Sequence, residues 1–333
     1  MKVLFDHDMP FFLAHGGFQI QIEQTMAGLK GIGVQVEPVR WWDDTQRGNV
    51  IHYFGRPSEA YVDLVHGKNT KIVFADLLSG LGSRSAPMRR AQKMLMCLAE
   101  RALPGAFTAR MAWNSIRRAD ACVANTAWEA RLMTEVFGAR PERVHLIPNG
   151  VEQAFFEVPP ATRGSWLVCT ATITERKRVL ELAQAAVRAQ TPVWIVGKPY
   201  SDTDVYARQF LDTARENPSL IRYEGPVNNR SDLASVYRQA RGFVLLSDKE
   251  TLSISALEAS ACECPLLLSD LPWARAAFGE HANYCPVPAS VSRTALVLKG
   301  FYDRAPALPA PPKPPTWMEV AQMFKAVYDE VLR

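Results

Sequence analysis

The chain has 333 residues, a hydrophobic share of 48% and a formal net charge of +4. That length is enough for two ordinary domains with a sizeable core, and no apolar run approaches the ~20 residues a membrane-spanning helix needs. Cys97, Cys122, Cys169, Cys262, Cys264 and Cys285 are scattered without a paired zinc spacing, which argues against a zinc site or a disulfide framework and for reduced core thiols in a cytoplasmic protein.

Short β-branched or aliphatic runs alternate with helical patterns from the first residues onward. The spacing predicts strands at Val3–Phe5, Val34–Val39, Val50–Phe54, Lys71–Phe74, Ala121–Ala124 and Val144–Ile147 in the first half. In the second half they fall at Trp166–Thr170, Val193–Gly197, Leu220–Tyr223, Gly242–Leu246 and Pro265–Ser269. Alternation of this kind means βαβ units and parallel sheets. Two such sets, divided near FFEVPPATR, predict an α/β protein of two doubly wound, Rossmann-like domains. The opening strand runs into Asp6, His7 and Asp8, unlike a secretory leader. Gly16 and Gly17 sit at the first strand-to-helix turn, where the lack of a Cβ lets backbone N–H groups approach a ligand. A dinucleotide fold would place G-x-G-x-x-G there, and HGGFQI does not supply it. A tight turn explains the pair equally well.

From Arg84 to Arg118 eight cations accompany a single acid, Glu100, with Met94, Leu95, Met96, Leu98, Leu103, Phe107, Met111 and Trp113 interleaved. Two readings stay open: amphipathic helices with solvated basic faces, or a surface for anionic lipid or an anionic acceptor. No nucleic-acid motif accompanies the charges. Near the end, APALPAPPKPPT reads as a stiff, extended linker. Beyond it Trp317, Val320, Met323, Phe324, Val327 and Val331 share one helical face.

The chemistry concentrates in the second half. Arg176, Lys177 and Arg178 head a helical pattern, where cations oppose the helix dipole. They are either a solvated basic turn or a clamp for a diphosphate. Glu250 and Glu258 lie eight positions apart in SDKETLSISALEASACECPLLLSD, where a strand meets a helix. Such a junction favours a bound phosphate. Two glutamates at this spacing are ordinarily solvated, but Leu252, Ile254, Ala256, Leu257, Ala259 and Ala261 surround Glu258, and carboxylates are rarely buried without partners. The pair can grip a sugar nucleotide, Glu250 at the sugar hydroxyls and Glu258 at the ribose diol. Asp202-Thr203-Asp204 spells a metal motif but reads as a cap for the following helix.

With E-x7-E closing a second α/β domain, the chain resembles glycosyltransferase family 4. HGGFQIQIEQTMAGLKGIGVQVEPV, VHLIPNGVEQAFF, TITERKRVLELAQAAV, VWIVGKP and RYEGPV follow in the family's order, so the resemblance covers nearly the whole chain. It implies a GT-B fold: two Rossmann-like domains facing a central cleft, an acceptor domain over 1–155 and a donor domain over 156–315. The helix of 316–333 would cross back to pack on the first domain. It implies a retaining transferase moving a sugar from a nucleotide-sugar to a hydroxyl acceptor (a glycan, a lipid-linked or a small molecule), with no cofactor and no metal. Lys177 matches the family's phosphate lysine. The arginine usual just before it is absent at Ala171–Thr174, so Arg176 substitutes or the clamp is weaker.

The resemblance carries further to individual positions. Leu252 and Ser253 replace the family's glycines, and Thr251 to Ile254 would offer main-chain donors to the diphosphate. Glu263 stands where another glycine is usual. Base choice would rest on backbone around Gly225 and Val227. Asp76 stands where the family often has a histidine near the transferred sugar, either as a hydrogen-bond acceptor or base, or as an N-cap. His52 ends a strand at the same edge, although a lone histidine is more often structural. A sugar-nucleotide epimerase or hydrolase of the same fold, or a non-catalytic sugar-nucleotide-binding protein, are the alternatives.

Overall fold

The computed structural model describes residues 1–8, 11, 16–75, 78, 86–102, 113–201 and 203–333. Two compact units emerge: Met1–Gly150 with Trp317–Arg333, and Val151–Thr316. Each is built on a six-stranded sheet that is parallel throughout.

In the first unit the strands are β1 (Lys2–His7), β2 (Gln35–Pro38), β3 (Val50–Phe54), β4 (Lys71–Ala75), β5 (Ala121–Ala124) and β6 (Val144–Leu146), in spatial order β2-β1-β3-β4-β5-β6. The inner strands are largely apolar and buried because helices cover both faces of a parallel sheet. Ile72 and Phe74 of β4 pack with Val62, Met96, Ile116, Leu132 and Phe137 in one buried cluster. Ser58 caps helix Glu59–Gly67 by accepting from the Tyr61 N–H at 3.2 Å, and Thr126 does the same for helix Ala127–Glu135. The helix Trp317–Val331 lies against helix Gly17–Gly31. A Cβ on Gly28 would stand 2.7 Å from the Trp317 carbonyl oxygen. His52 is wholly buried, stacked on Phe54 at 4.2 Å, with Nδ1 2.5 Å from the Tyr328 hydroxyl of that last helix. It is therefore a core residue and does not face the ligand edge. Burial pushes the His52 imidazole down to about 3.

In the second unit the strands are β7 (Leu167–Thr170), β8 (Val193–Val196), β9 (Ile221–Tyr223), β10 (Gly242–Leu245), β11 (Leu266–Ser269) and β12 (Asn283–Cys285), ordered β12-β11-β10-β7-β8-β9. Strand alternation divides its core by faces. Phe243, Leu245, Leu266 and Leu268 join one cluster, and Leu167, Cys169, Val244 and Leu267 the other. Phe155 is fully buried in the first of these, so this unit begins ahead of it. The proline-rich stretch is tied to the same unit: Val151 N–H donates to the Pro315 carbonyl at 2.9 Å and Ser260 Oγ to that of Pro312 at 2.6 Å.

Two sequence expectations need correction. The strand β12 escaped notice because it is three residues long, only partly apolar and at the sheet edge. Cys97 is exposed, unlike the other five cysteines, because it lies on the outer side of helix Ala86–Ala102. The Ser253 hydroxyl caps helix Ile254–Ala261, accepting from Ala256 N–H at 3.3 Å.

Candidate functional site

The strand order of the second sheet reverses direction between β7 and β10. In an open parallel sheet this switch point is where the loops leaving the strand ends part, and ligands bind there. The residues after β7 form a single 3₁₀ turn, Glu175–Lys177, followed by Arg178 at φ 53°. A left-handed arginine is uncommon. The residues after β10 lead to Ser253 and helix Ile254–Ala261.

The two loops are laced together. Asp248 N–H donates to the Arg176 carbonyl at 2.9 Å. Arg176 Nη1 donates to the Lys249 carbonyl at 2.9 Å and to Glu250 Oε2 at 3.1 Å. Lys177 Nζ pairs with Glu250 Oε1. Arg178 reaches Asp248 Oδ1 at 3.4 Å and the Ala289 carbonyl at 3.0 Å. The side chains of Lys177 and Glu250 keep only 13% and 12% of their surface exposed, against 47% for Arg176. Three cations thus meet two carboxylates at one sheet edge, leaving an excess of positive charge in a half-desolvated place. Such a cluster suits a diphosphate.

Glu258 occupies a different setting, 4% exposed on the second turn of its helix. Arg230 pairs with its Oε1 and the Tyr237 hydroxyl donates to Oε2 at 3.1 Å. Tyr237 in turn stands 2.5 Å from Thr170 Oγ1, at the end of β7. Arg230 Nε lies 2.7 Å from Glu152 and its guanidinium 4.8 Å from the Phe155 ring centre. Burial pushes the Glu258 carboxyl up, while Arg230 and Tyr237 pull it down. Sequence reasoning missed Arg230, Tyr237, Thr170 and Glu152. Its one signal was a glutamate in an apolar stretch, which demands a cation somewhere.

The remaining positions distribute as follows. Thr251, Leu252 and Ser253 lie between Glu250 and the helix that begins at Ile254; Leu252 and Ile254 bury their side chains, so only their main chain can meet a ligand. Gly225 has φ 85° after β9, its carbonyl accepting from Gly197 N–H at 3.2 Å. Val227 is packed against the core. Gly197 was not singled out from sequence, yet a Cβ there would stand 2.0 Å from the Ala171 carbonyl oxygen. In the first unit, Gly16 (φ 142°) and Gly17 open the helix after β1, at that sheet's own reversal between β1 and β3. Asp76 lies outside the described residues. Asp204 caps helix Val205–Glu216, accepting from Tyr206 N–H at 2.9 Å; Asp202 is also outside the described residues. No helix among the described residues is long and apolar enough to cross a membrane.

Residues 164–296 match the family model described as Glycosyl transferases group 1, and residues 96–155 match Glycosyltransferase Family 4. D-inositol 3-phosphate glycosyltransferase 1 of Catenulispora acidiphila is 29% identical over 219 residues, covering 56% of this chain and 50% of the relative. The chain spans half or less of the length of the curated relatives it matches in this group. Among solved structures, sucrose-phosphate synthase from Thermosynechococcus elongatus superposes with a TM-score of 0.67 at 16% identity, covering 99% of both chains. Anabaena HepE in complex with UDP and glucose gives 0.64 at 14% identity, covering 100% of this chain and 95% of that one. At these identities the likeness speaks for the fold, which is GT-B.

Proposed function

We propose, for a chain that belongs with the family 4 glycosyltransferases, transfer of a sugar from a nucleoside diphosphate sugar to a hydroxyl acceptor, with anomeric configuration retained and no metal required. The observation that carries this reading is the convergence of Arg176 and Lys177 on Glu250 at the switch point of the second sheet. As the bond from the anomeric carbon to the leaving phosphate breaks, negative charge grows on the phosphate, and fixed cations stabilise that growth. Lys177 and Arg176 take this role. The acceptor oxygen bonds to the anomeric carbon on the face the phosphate leaves, and the phosphate oxygen takes the acceptor's proton. Glu250 exchanges its hold on the two cations for the sugar hydroxyls, and Glu258 meets the ribose. In this reading main-chain N–H groups of Thr251 to Ile254 serve the diphosphate and backbone around Gly225 and Val227 the base, while Gly16, Gly17 and Asp76 are the first-unit residues that the family resemblance assigns to the donor.

HepE, crystallised with UDP and with UDP-glucose, makes uridine nucleotides the first donors to try. The inositol-phosphate relatives favour an anionic acceptor. Peripheral contact with an anionic bilayer belongs to the same reading. Its support is helix Ala86–Ala102, where Met88, Met94, Leu95 and Leu98 are exposed beside exposed Arg90, Lys93 and Arg101.

The test begins with thermal shift against nucleoside diphosphates, since a ligand raises stability with occupancy. Lys177→Ala should then lower turnover about a hundredfold while nucleotide affinity changes little. Equal losses in both contradict the role. Activity should survive a chelator. Donor turnover without any acceptor would favour an epimerase or hydrolase, and binding without turnover a non-catalytic protein.

A further inference from the structure

Tryptophan is normally among the more buried residues, because its indole carries the largest apolar area. In the first unit two consecutive tryptophans are the opposite. Trp41 is 72% exposed and Trp42 83% exposed. They stand just past the C-terminal end of β2, on the edge of the parallel sheet where ligands bind in folds of this kind.

The segment that raises them is held from below. Val39 N–H donates to the Phe5 carbonyl at 2.8 Å, prolonging the β1–β2 ladder. Arg40 donates to Asp43 Oδ2 through Nε at 3.0 Å and Nη2 at 2.8 Å, and to Glu37 Oε2 through Nη1 at 3.1 Å. Lys2 pairs with Glu37 at 2.7 Å. The Gln46 side chain accepts from Arg40 N–H at 2.8 Å and donates to Glu37 Oε1 at 2.8 Å. The Thr45 hydroxyl donates to Asp43 Oδ1 at 2.6 Å. Lys2, Gln46 and Arg40 hold the Glu37 carboxyl down to about 2, and Thr45 and Arg40 hold Asp43 there too. Below the turn, Asp6, a buried carboxylate near the end of β1, accepts from the Tyr61 hydroxyl. A closed polar network therefore fixes a turn whose outward products are two bare indoles, so little ordering remains to be done on binding.

The chemistry around the rings selects the occupant. A pyranose has an apolar C–H face, slightly positive, matching the negative face of an aromatic ring, and a rim of hydroxyls. Asp44 and Thr45, both exposed, offer polar groups beside the rings for that rim. An anionic bilayer is disfavoured, because Arg40 and Arg47 are balanced by Asp43 and Asp44 around the rings and leave no excess positive charge to draw it. A protein partner is disfavoured by size. Two rings offer on the order of 300–500 Å², short of the ~800 Å² per side of a stable interface.

We infer that Trp41 and Trp42 form a sugar-stacking platform on the first unit that takes a pyranosyl residue of the acceptor. The word acceptor rests on the transferase reading above; sugar binding by the pair does not.

The test uses the full chain as wild type, Trp41→Ala, Trp42→Ala, the double alanine variant, and the double phenylalanine variant. Methyl glycosides and disaccharides of glucose, galactose, mannose and N-acetylglucosamine are the probes, read by saturation-transfer NMR in the absence of nucleotide. Wild type should bind at least one of them. Each alanine should weaken that binding about tenfold, the double variant should abolish it, and the double phenylalanine variant should retain it. The UDP thermal shift should be the same in all five proteins. The inference is overturned if wild type binds none of the sugars, if the double alanine variant binds them as wild type does, or if the pair alters sedimentation with phosphatidylglycerol vesicles and not sugar binding. Absence of any nucleotide shift in all five proteins would sink the transferase reading instead, and the sugar signal would still decide this one.

Discussion

Replacing Arg230 by methionine isolates what holds Glu258 in place. Methionine keeps an unbranched apolar stem against Phe155 and removes the charge. The Glu258 side chain is 5% exposed, so it would be left as a buried carboxylate with only the Tyr237 hydroxyl as donor. Breaking a buried ion pair costs about 3–5 kcal/mol. Arg230 is itself 30% exposed, which screens the pair and sets the expected loss near the lower end, about 3 kcal/mol. For a unit of this size that corresponds to a fall in melting temperature of roughly 6–12 °C. The loss should depend on pH, and the sign follows from Glu258. Its carboxyl is already raised by burial, and removal of the guanidinium raises it further. A group raised in the folded state contributes stability below its unfolded value and loses it as pH climbs through the folded one. The deficit of Arg230→Met should therefore be largest at pH 8 and shrink at pH 5. Adding Glu258→Gln should restore about 2 kcal/mol, since the unpaired charge is gone. Urea denaturation of the four members of this cycle at both pH values measures it. A deficit under about 1 kcal/mol, or one equal at both pH values, would refute a Glu258 charge that depends on Arg230.

Other outcomes are as definite. His52, held down to about 3 by burial, must stay neutral in the folded first unit. A group depressed on folding loses stability as pH falls, so between pH 7 and pH 5 the unit should lose about 2 kcal/mol that His52→Gln does not lose; identical acid dependence would place the proton elsewhere. Gly197→Ala forces a Cβ to 2.0 Å from the Ala171 carbonyl, and should destabilise the second unit by more than about 3 kcal/mol in urea. A normal midpoint would mean the edge between β7 and β8 yields easily. Arg176→Ala removes the more exposed cation and should cost turnover less than Lys177→Ala, as single-turnover rates would report.

Much of the fold was legible because buried parallel strands are continuous apolar runs, as in Gly242–Leu245 and Ala121–Ala124. Asn283–Cys285 lacked that signature, being short, partly polar and at the edge. The candidate site was legible in part. Lys177 and Glu250 each stood out, but they are 73 positions apart, and only the adjacency of β7 and β10 makes them neighbours. The partner of Glu258 was hidden for a different reason: a buried carboxylate announces that it needs a cation, but not which of 38 lysines and arginines supplies it. His52 and Tyr328, separated by 276 positions, carry no local sign of each other. Trp41 and Trp42 went unremarked because composition alone assigns tryptophan to the interior.

The first unit is discontinuous in the chain, since Trp317–Arg333 belongs to it while Val151–Thr316 stands as an uninterrupted stretch. Gly28 and Gly150 are each backed by Trp317 at distances no side chain would tolerate, and the His52 ring waits for the Tyr328 hydroxyl. During synthesis, therefore, the unit that starts with Met1–Gly150 cannot finish until Trp317–Arg333 has been translated, whereas the stretch between them encodes a body able to close beforehand. Maturation runs from the inside outward, and a break in translation just ahead of Trp317 would spoil a unit whose larger part had been made long before.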